Sequence, residues 1–260
     1  MPVFDFDSAI VRDPGRSVVH GLRDDPRSQP NYDEIVKEHA AYVAALAGAG
    51  VAVDILPPLE AFPDSVFVED PALVFGNGAI LLRPGAPSRL GEREAMREAL
   101  TARFDRVLEL QAGEYADGGD VLVTPDVVFV GLSKRTDAAG AAALLAHLAT
   151  LGRDGRIVQT PPGVLHFKTA VSLLAEDTLL ATPAMAASGL FEGFKVLPTP
   201  AGEEAAANAL RVNDTVFLGA HFPRTADLLA KAGFAVVLLP VREIGKLDAG
   251  LSCMSLRWHG

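Results

Sequence analysis

Reactive side chains in this chain are few and widely separated, which makes each one informative. There is a single cysteine, Cys253, set between small hydroxyl residues in Leu251-Ser252-Cys253-Met254-Ser255. One histidine, His166, interrupts the apolar run Val164-Leu165-His166-Phe167. Acids cluster at Glu69-Asp70 and at Asp117-Gly118-Gly119-Asp120, where the glycines allow close backbone approach. Singly, each has an ordinary reading: a buried small hydrophobe, a satisfied core imidazole, a solvated strand end, a turn. A thiol, an imidazole and several carboxylates drawn to one place would instead make a nucleophile, a proton shuttle and a cation grip.

That set suits attack on a guanidinium. Resonance spreads its positive charge over three nitrogens and makes its carbon a poor electrophile. An enzyme must therefore hold the plane with carboxylates, supply a soft nucleophile and protonate a departing amine. A thiol attacks as thiolate, and a bound cation nearby favours the thiolate by roughly 1–3 pKa units. The substrate would help to ionise its own nucleophile, with His166 passing protons.

Bringing residues 69, 117, 166 and 253 together requires a repeating architecture, and the chain has one. Strand, turn, strand, helix, strand recurs: Ser65–Phe75, the Gly76-Asn77-Gly78 turn, Ala79–Leu82, a helix near 91–104 and Arg106–Leu110 form one unit. Asp120–Val130, the Ala-rich helix at 137–151 and Ile157–Gln159 repeat the order. Leu165 to Leu197 and Ala209 to Leu239 follow. The fifth unit is split: Leu251–Trp258 supplies its first strand, Ser8–Arg12 and Val18-Val19-His20 extended chain, Tyr32–Ala49 a helix and Val51–Leu56 its last strand. Units spaced about 40 to 50 residues apart imply a ring of blades. The expected fold is a single α/β domain over 1–260, a five-bladed propeller with one blade closed by both termini. An open α/β sandwich would satisfy the same element order. Chemistry is expected at the end of each unit's first strand, and the polar loop Arg12–Pro30 is the expected lid.

Composition narrows the partners. A net charge of −10 argues against nucleic acid and anionic membrane and is compatible with a cationic small molecule. No apolar run approaches the roughly 20 residues of a membrane span, and the N-terminus lacks signal-peptide order, so a cytoplasmic enzyme is expected. One cysteine excludes an internal disulfide and a thiolate-rich metal site, and the six histidines show no paired ligand spacing.

Six motifs, in order, strongly resemble the dimethylarginine dimethylaminohydrolase family: Asp64-Ser65-Val66-Phe67-Val68-Glu69-Asp70, Arg83-Pro84-Gly85-Ala86-Pro87-Ser88-Arg89, Asp117-Gly118-Gly119-Asp120-Val121-Leu122, Val130-Gly131-Leu132-Ser133-Lys134-Arg135-Thr136, Leu165-His166-Phe167-Lys168 and Leu251-Ser252-Cys253-Met254-Ser255. His20-Gly21-Leu22-Arg23 is similar to the family's lid loop. The resemblance implies a five-bladed pentein propeller that uses no metal or cofactor. It implies hydrolysis of Nω-methylated and asymmetrically dimethylated arginine to citrulline and methylamine or dimethylamine. By position it implies Cys253 as nucleophile, His166 as general acid/base and Asp117 as the carboxylate orienting His166. Glu69 matches the guanidinium-binding acid, with Asp70 in support. Asp64, Arg89, Arg135, Leu22 and the backbone at Leu247 match contacts to the amino-acid end of the substrate. Arginine deimination and amidino transfer would use the same residues, but the arginine deiminases compared are longer and carry a helical insertion. A non-catalytic amino-acid-binding propeller is the alternative from outside enzymology. The sequence leaves a homodimer open.

Overall fold

The computed structural model describes residues 3–161 and 163–260. It contains five separate three-stranded sheets arranged as blades. The split blade holds β1 (Ser8–Arg12), the helix α1 (Tyr32–Gly48) and β2 (Ala52–Leu56). The next holds β3 (Ala72–Phe75), β4 (Gly78–Leu81), α2 (Glu92–Thr101) and β5 (Val107–Glu109). Then come β6 (Val121–Val123), β7 (Val128–Leu132), α3 (Ala138–Thr150) and β8 (Gly155–Gln159). The fourth in chain order is β9 (Val171–Ala175), β10 (Thr178–Ala181), α4 (Pro183–Ala186) and β11 (Lys195–Pro198). The fifth is β12 (Leu210–Val212), β13 (Thr215–Gly219), α5 (Pro223–Lys231) and β14 (Ala235–Leu239). The short helix α6 (Arg242–Gly245) leads to β15 (Leu256–Trp258), which pairs antiparallel with β1 and completes the split blade.

Every blade has an antiparallel pair followed by a parallel one: in four a hairpin joins the first two strands, in the split blade β15 and β1 meet from the two ends of the chain, and a crossover joins the second and third strands throughout. The middle strands are apolar apart from Ser8, Arg12, Thr178 and Thr215 at their ends, as a strand buried on both faces requires. Side chains alternate along β4: Ile80 packs into the core shared with the β6–β8 blade, while Ala79 and Leu81 pack into the core shared with the split blade. Likewise β10 sends Leu179 and Ala181 one way and Leu180 the other. Five cores between five neighbouring blades close the ring. Side chains cap the starts of α1, α3 and α4 (Asn31, Asp137 and Thr182); at α3 the Asp137 carboxylate accepts the Gly140 N–H at 2.7 Å.

Two local expectations are overturned. Residues 65–70 are successive turns, despite their β-rich composition, and the strand begins only at Ala72. Val18–His20 lies in a 3₁₀ turn (Arg16–His20), not in extended chain. The consequence for chemistry is general. Glu69 and Asp70, Asp117, His166 and Cys253 occupy short turns or the starts of 3₁₀ segments just before the first strands of four blades, not the strand's end. Short 3₁₀ turns cover Gly118–Asp120, Phe167–Thr169 and Ser252–Met254.

Candidate active site

A cavity of about 200 Å³ lies among these turns, lined by Leu22, Arg23, Asp24, Asp64, Phe67, Asp70, Arg89, Arg135, Leu165, His166, Leu247, Asp248, Ala249 and Cys253. It gathers residues from four blades and from the 12–30 loop.

The histidine is held on several sides. His166 Nε2 lies 2.9 Å from Asp117 Oδ2. Asp117 is fully buried, and its other oxygen accepts the Gly85 N–H at 2.7 Å. The Phe167 N–H donates to Asp120 Oδ1 at 2.8 Å, while the Ser133 and Thr136 hydroxyls donate to Asp120 Oδ2. Gly119 has to be glycine, since a Cβ there would stand 2.8 Å from His166 Cγ and Nδ1. Burial alone would lower the imidazole's pKa, but Asp70, Asp117 and Asp120 outweigh it and raise the pKa from 6.5 to about 9. His166 is therefore an imidazolium at neutral pH.

Asp70 faces the cavity as a carboxylate. Its burial favours the neutral acid, but Arg89, then His166, hold it below the ordinary carboxyl range. Donor atoms of Asp70, Asp117 and His166 lie within 4.8 Å of one another, near enough to converge on a cation. Both carboxylates already accept protein N–H groups, from Arg89 and Gly119 and from Gly85 and His166.

Cys253 borders the same cavity. Its sulfur accepts the Gly250 N–H at 3.5 Å. Burial, followed by the fields of Glu69 and Asp70, pushes the thiol from 9.0 up to about 12. The free site thus holds a neutral thiol.

Adjacent residues point to opposite sides of the turns. Glu69, expected at the guanidinium, directs its carboxylate away from this cavity: Lys168 Nζ donates to it at 2.5 Å and Ser252 Oγ at 2.9 Å. Glu69, Lys168, Ser252 and Arg257 border a second cavity of about 190 Å³ behind the turns. The pocket-facing carboxylate of the pair is Asp70. Composition could not separate the two; only the turn geometry does.

The remaining expected contacts sit away from the thiol–imidazole pair in their roles. Asp64 Oδ1 accepts the Leu22 N–H at 2.9 Å, tying the 12–30 loop to the site. The Leu22 side chain remains 39% exposed at the mouth of the cavity. The Leu247 N–H donates to Ile244 at 3.0 Å, so an acceptor carbonyl is what its backbone can offer. Arg89, expected at the amino-acid end of the substrate, lines the cavity with its guanidinium held by the protein. Glu92 holds it in bidentate fashion at 2.9 and 2.8 Å, and Asp70 and the Asp64 and Phe67 carbonyls take further N–H groups. Arg135 is the freer cation: its guanidinium stands 3.7 Å from Asp117 Oδ2. Asp120, Lys168, Asn208, Ser252 and Arg257 were not singled out from sequence as site residues. Position just before a first strand is the signal that marks Asn208.

A model of eukaryotic N,N dimethylarginine dimethylhydrolase matches residues 23–157. The chain is 38% identical to the N(G),N(G)-dimethylarginine dimethylaminohydrolase of Pseudomonas aeruginosa, over 97% of this chain and 100% of the relative. The chain belongs to the dimethylarginine dimethylaminohydrolase family. The Streptomyces coelicolor dimethylarginine dimethylaminohydrolase is 36% identical, covering 96% of each chain. Among solved structures, the P. aeruginosa dimethylarginine dimethylaminohydrolase complexed with citrulline superposes with a TM-score of 0.94 at 38% identity, over 98% of this chain and all of that one. The N-terminal domain of ArgZ, an arginine dihydrolase of Cyanobacteria, matches with a TM-score of 0.86 at 20% identity, a likeness of fold alone. The five-bladed propeller expected from the repeats is the fold this family and its structural neighbours share. Among the described residues, no helix is long and apolar enough to cross a membrane.

Proposed function

We propose that the chain hydrolyses Nω-methylated and asymmetrically dimethylated arginine to citrulline and methylamine or dimethylamine, as a single catalytic unit acting in the cytoplasm. The observation that carries this reading is that Cys253, His166 and Asp70 border one cavity that also holds Asp64 and Arg135. An acid for the α-ammonium, a cation for the α-carboxylate and an acid for the guanidinium match the charges of a zwitterionic amino acid with a cationic tail.

Asp70 grips the guanidinium and brings its carbon to the sulfur. The bound cation draws the thiol pKa down from its high resting value, the thiol gives its proton to water, and the thiolate adds to the carbon. His166, cationic before the reaction, gives its proton to the methylated nitrogen, and the C–N bond breaks to release the amine. A thiouronium remains on Cys253. Neutral His166 then takes a proton from water as its oxygen adds to the same carbon, and collapse expels the sulfur, which takes up the remaining hydroxyl proton as the resting thiol is restored and citrulline is left. Asp117 keeps the imidazole oriented and its cation favourable throughout. Arg135, Asp64, Leu22 and the Leu247 carbonyl hold the amino-acid end. Arg89 acts chiefly by locking Asp70 and the backbone of Asp64 and Phe67.

The test is product analysis with asymmetric dimethylarginine and with arginine. Citrulline and dimethylamine should appear from the first at much the higher rate, and Cys253→Ser should abolish both. Faster ammonia release from arginine would replace this reading with deimination. Undiminished turnover by the serine variant would remove Cys253 as nucleophile.

A further inference from the structure

Four of the five blades send an assigned group to the centre of the ring: Asp70, Asp117, His166 and Cys253. Their turns precede β3, β6, β9 and β15. The remaining blade, opened by β12, sends Asn208, two residues ahead of Leu210.

Asn208 is engaged at every polar atom. Its Oδ1 accepts the Ser252 N–H at 3.1 Å, and its Nδ2 donates to Ser252 Oγ at 3.3 Å and to the Lys168 carbonyl at 3.2 Å. The Ser252 hydroxyl, so approached, donates onward to Glu69 Oε2 at 2.9 Å. Glu69 in turn accepts from Lys168 Nζ, and the Glu69 N–H donates to the Cys253 carbonyl at 3.2 Å. The carboxamide also lies against Gly250, where a Cβ would stand 2.4 Å from its Cγ and Oδ1. Gly250 is the residue whose N–H meets the Cys253 sulfur. One side chain therefore touches both flanks of the nucleophile, the serine before it and the glycine three residues earlier.

We infer that Asn208 is the positioning residue of the nucleophile turn, fixing the Cys253 sulfur through Ser252 and Gly250 and setting the direction of the Ser252 hydroxyl bond to Glu69. The carboxamide chemistry is needed. Both an acceptor, for the Ser252 N–H, and donors, for Ser252 Oγ and the Lys168 carbonyl, are required within one planar group, and only an amide offers them. Aspartate keeps the shape, loses both donors and adds a negative charge beside a thiol already disfavoured as thiolate. Displacing a nucleophile by about 1 Å costs on the order of 10²-fold in rate. The loss should fall on kcat, because Asn208 does not border the substrate cavity.

This inference rests on Cys253 being the nucleophile, and its test separates the two. In the full chain, Asn208→Ala should lower kcat for dimethylarginine on the order of 10²-fold with KM little changed. Asn208→Asp should do the same and also slow the reaction of Cys253 with iodoacetamide at a fixed, mildly alkaline pH, measured without substrate. Thermal unfolding of each variant reports whether the fold survives. If Asn208→Ala keeps wild-type kcat, or if kcat and KM worsen together while the iodoacetamide rate of Asn208→Asp stays at the wild-type value, Asn208 is merely structural and the inference fails. If the wild type releases no dimethylamine, the functional reading fails, and the iodoacetamide rates still judge Asn208.

Discussion

Replacing Glu69 by Gln isolates the field that keeps Cys253 protonated. The side chain keeps its shape; its one oxygen can still accept from Lys168, its NH2 meets the Ser252 hydroxyl, which can turn to accept, and one negative charge is removed. After burial, that charge is the largest contributor to the high pKa of the thiol, and the Lys168 ammonium it neutralises would remain to act in the opposite sense. A close charge moves a pKa by roughly 1–3 units, so a thiol at about 12 should fall to roughly 9–11. At neutral pH the thiolate fraction, on the order of 10⁻⁵ in the wild type, should rise about 10- to 1,000-fold. Part of that gain is cancelled, because nucleophilicity falls with basicity at a Brønsted slope of about 0.4–0.5. The net acceleration of exchange with an aromatic disulfide is then about 3- to 60-fold. The chain has a single cysteine, so the coloured thiol released reports Cys253 alone, and Cys253→Ser supplies the blank. An exchange rate at or below that of the wild type would show that burial sets the thiol and that Glu69 does not reach it. An unchanged exchange rate with lost dimethylarginine binding would instead put the Glu69 carboxylate on the substrate.

Asp117→Asn should lower the His166 pKa from about 9 by roughly 1–3 units and shift the alkaline limb of kcat to lower pH by the same amount. Imidazole NMR titration in a Cys253→Ser background measures the first directly, and a pKa still near 9 would show that Asp70 and Asp120 suffice without Asp117. Arg135→Ala should raise KM about 10- to 100-fold with a smaller effect on kcat, the equivalent of one charge-assisted hydrogen bond; an unchanged KM would move the carboxylate contact elsewhere. Stability should also depend on pH through His166. Its folded pKa is raised, so its contribution is complete below 6.5 and is lost as pH rises through about 9. The difference is worth up to about 3 kcal/mol. Denaturant midpoints taken across that window should therefore fall with rising pH, less so in His166→Asn, and equal slopes in the two proteins would contradict the raised pKa.

Much of the architecture is decided locally. Gly76-Asn77-Gly78 makes a hairpin of its flanking apolar runs whatever surrounds it, and Asn31 and Asp137 start their helices by capping the backbone with their own side chains. Recurrence of that local order makes a ring of blades the expected fold, and the cores packed between neighbouring blades decide for it over an open α/β sandwich of the same element order. The identities of the reactive groups are local too: there is one thiol to consider, and Asp117 and His166 stand in short motifs.

Direction is what only the tertiary structure decides. Val66-Phe67-Val68 has the composition of a strand, yet its burial between β3, the 12–30 loop and the cavity turns it into successive tight bends. In such bends neighbouring side chains leave the backbone at angles no periodicity encodes. Hence Asp70 faces the substrate cavity and Glu69 the rear one, and Cys253 and Ser252 divide in the same way. Arg89 is drawn out of solvent by Glu92, three residues away, together with Asp70, nineteen residues away. Asn208 acquires a role only because β12 delivers it beside a serine forty-four residues later. Short-range chemistry chooses the elements; the closing of five blades about one axis chooses which atoms meet.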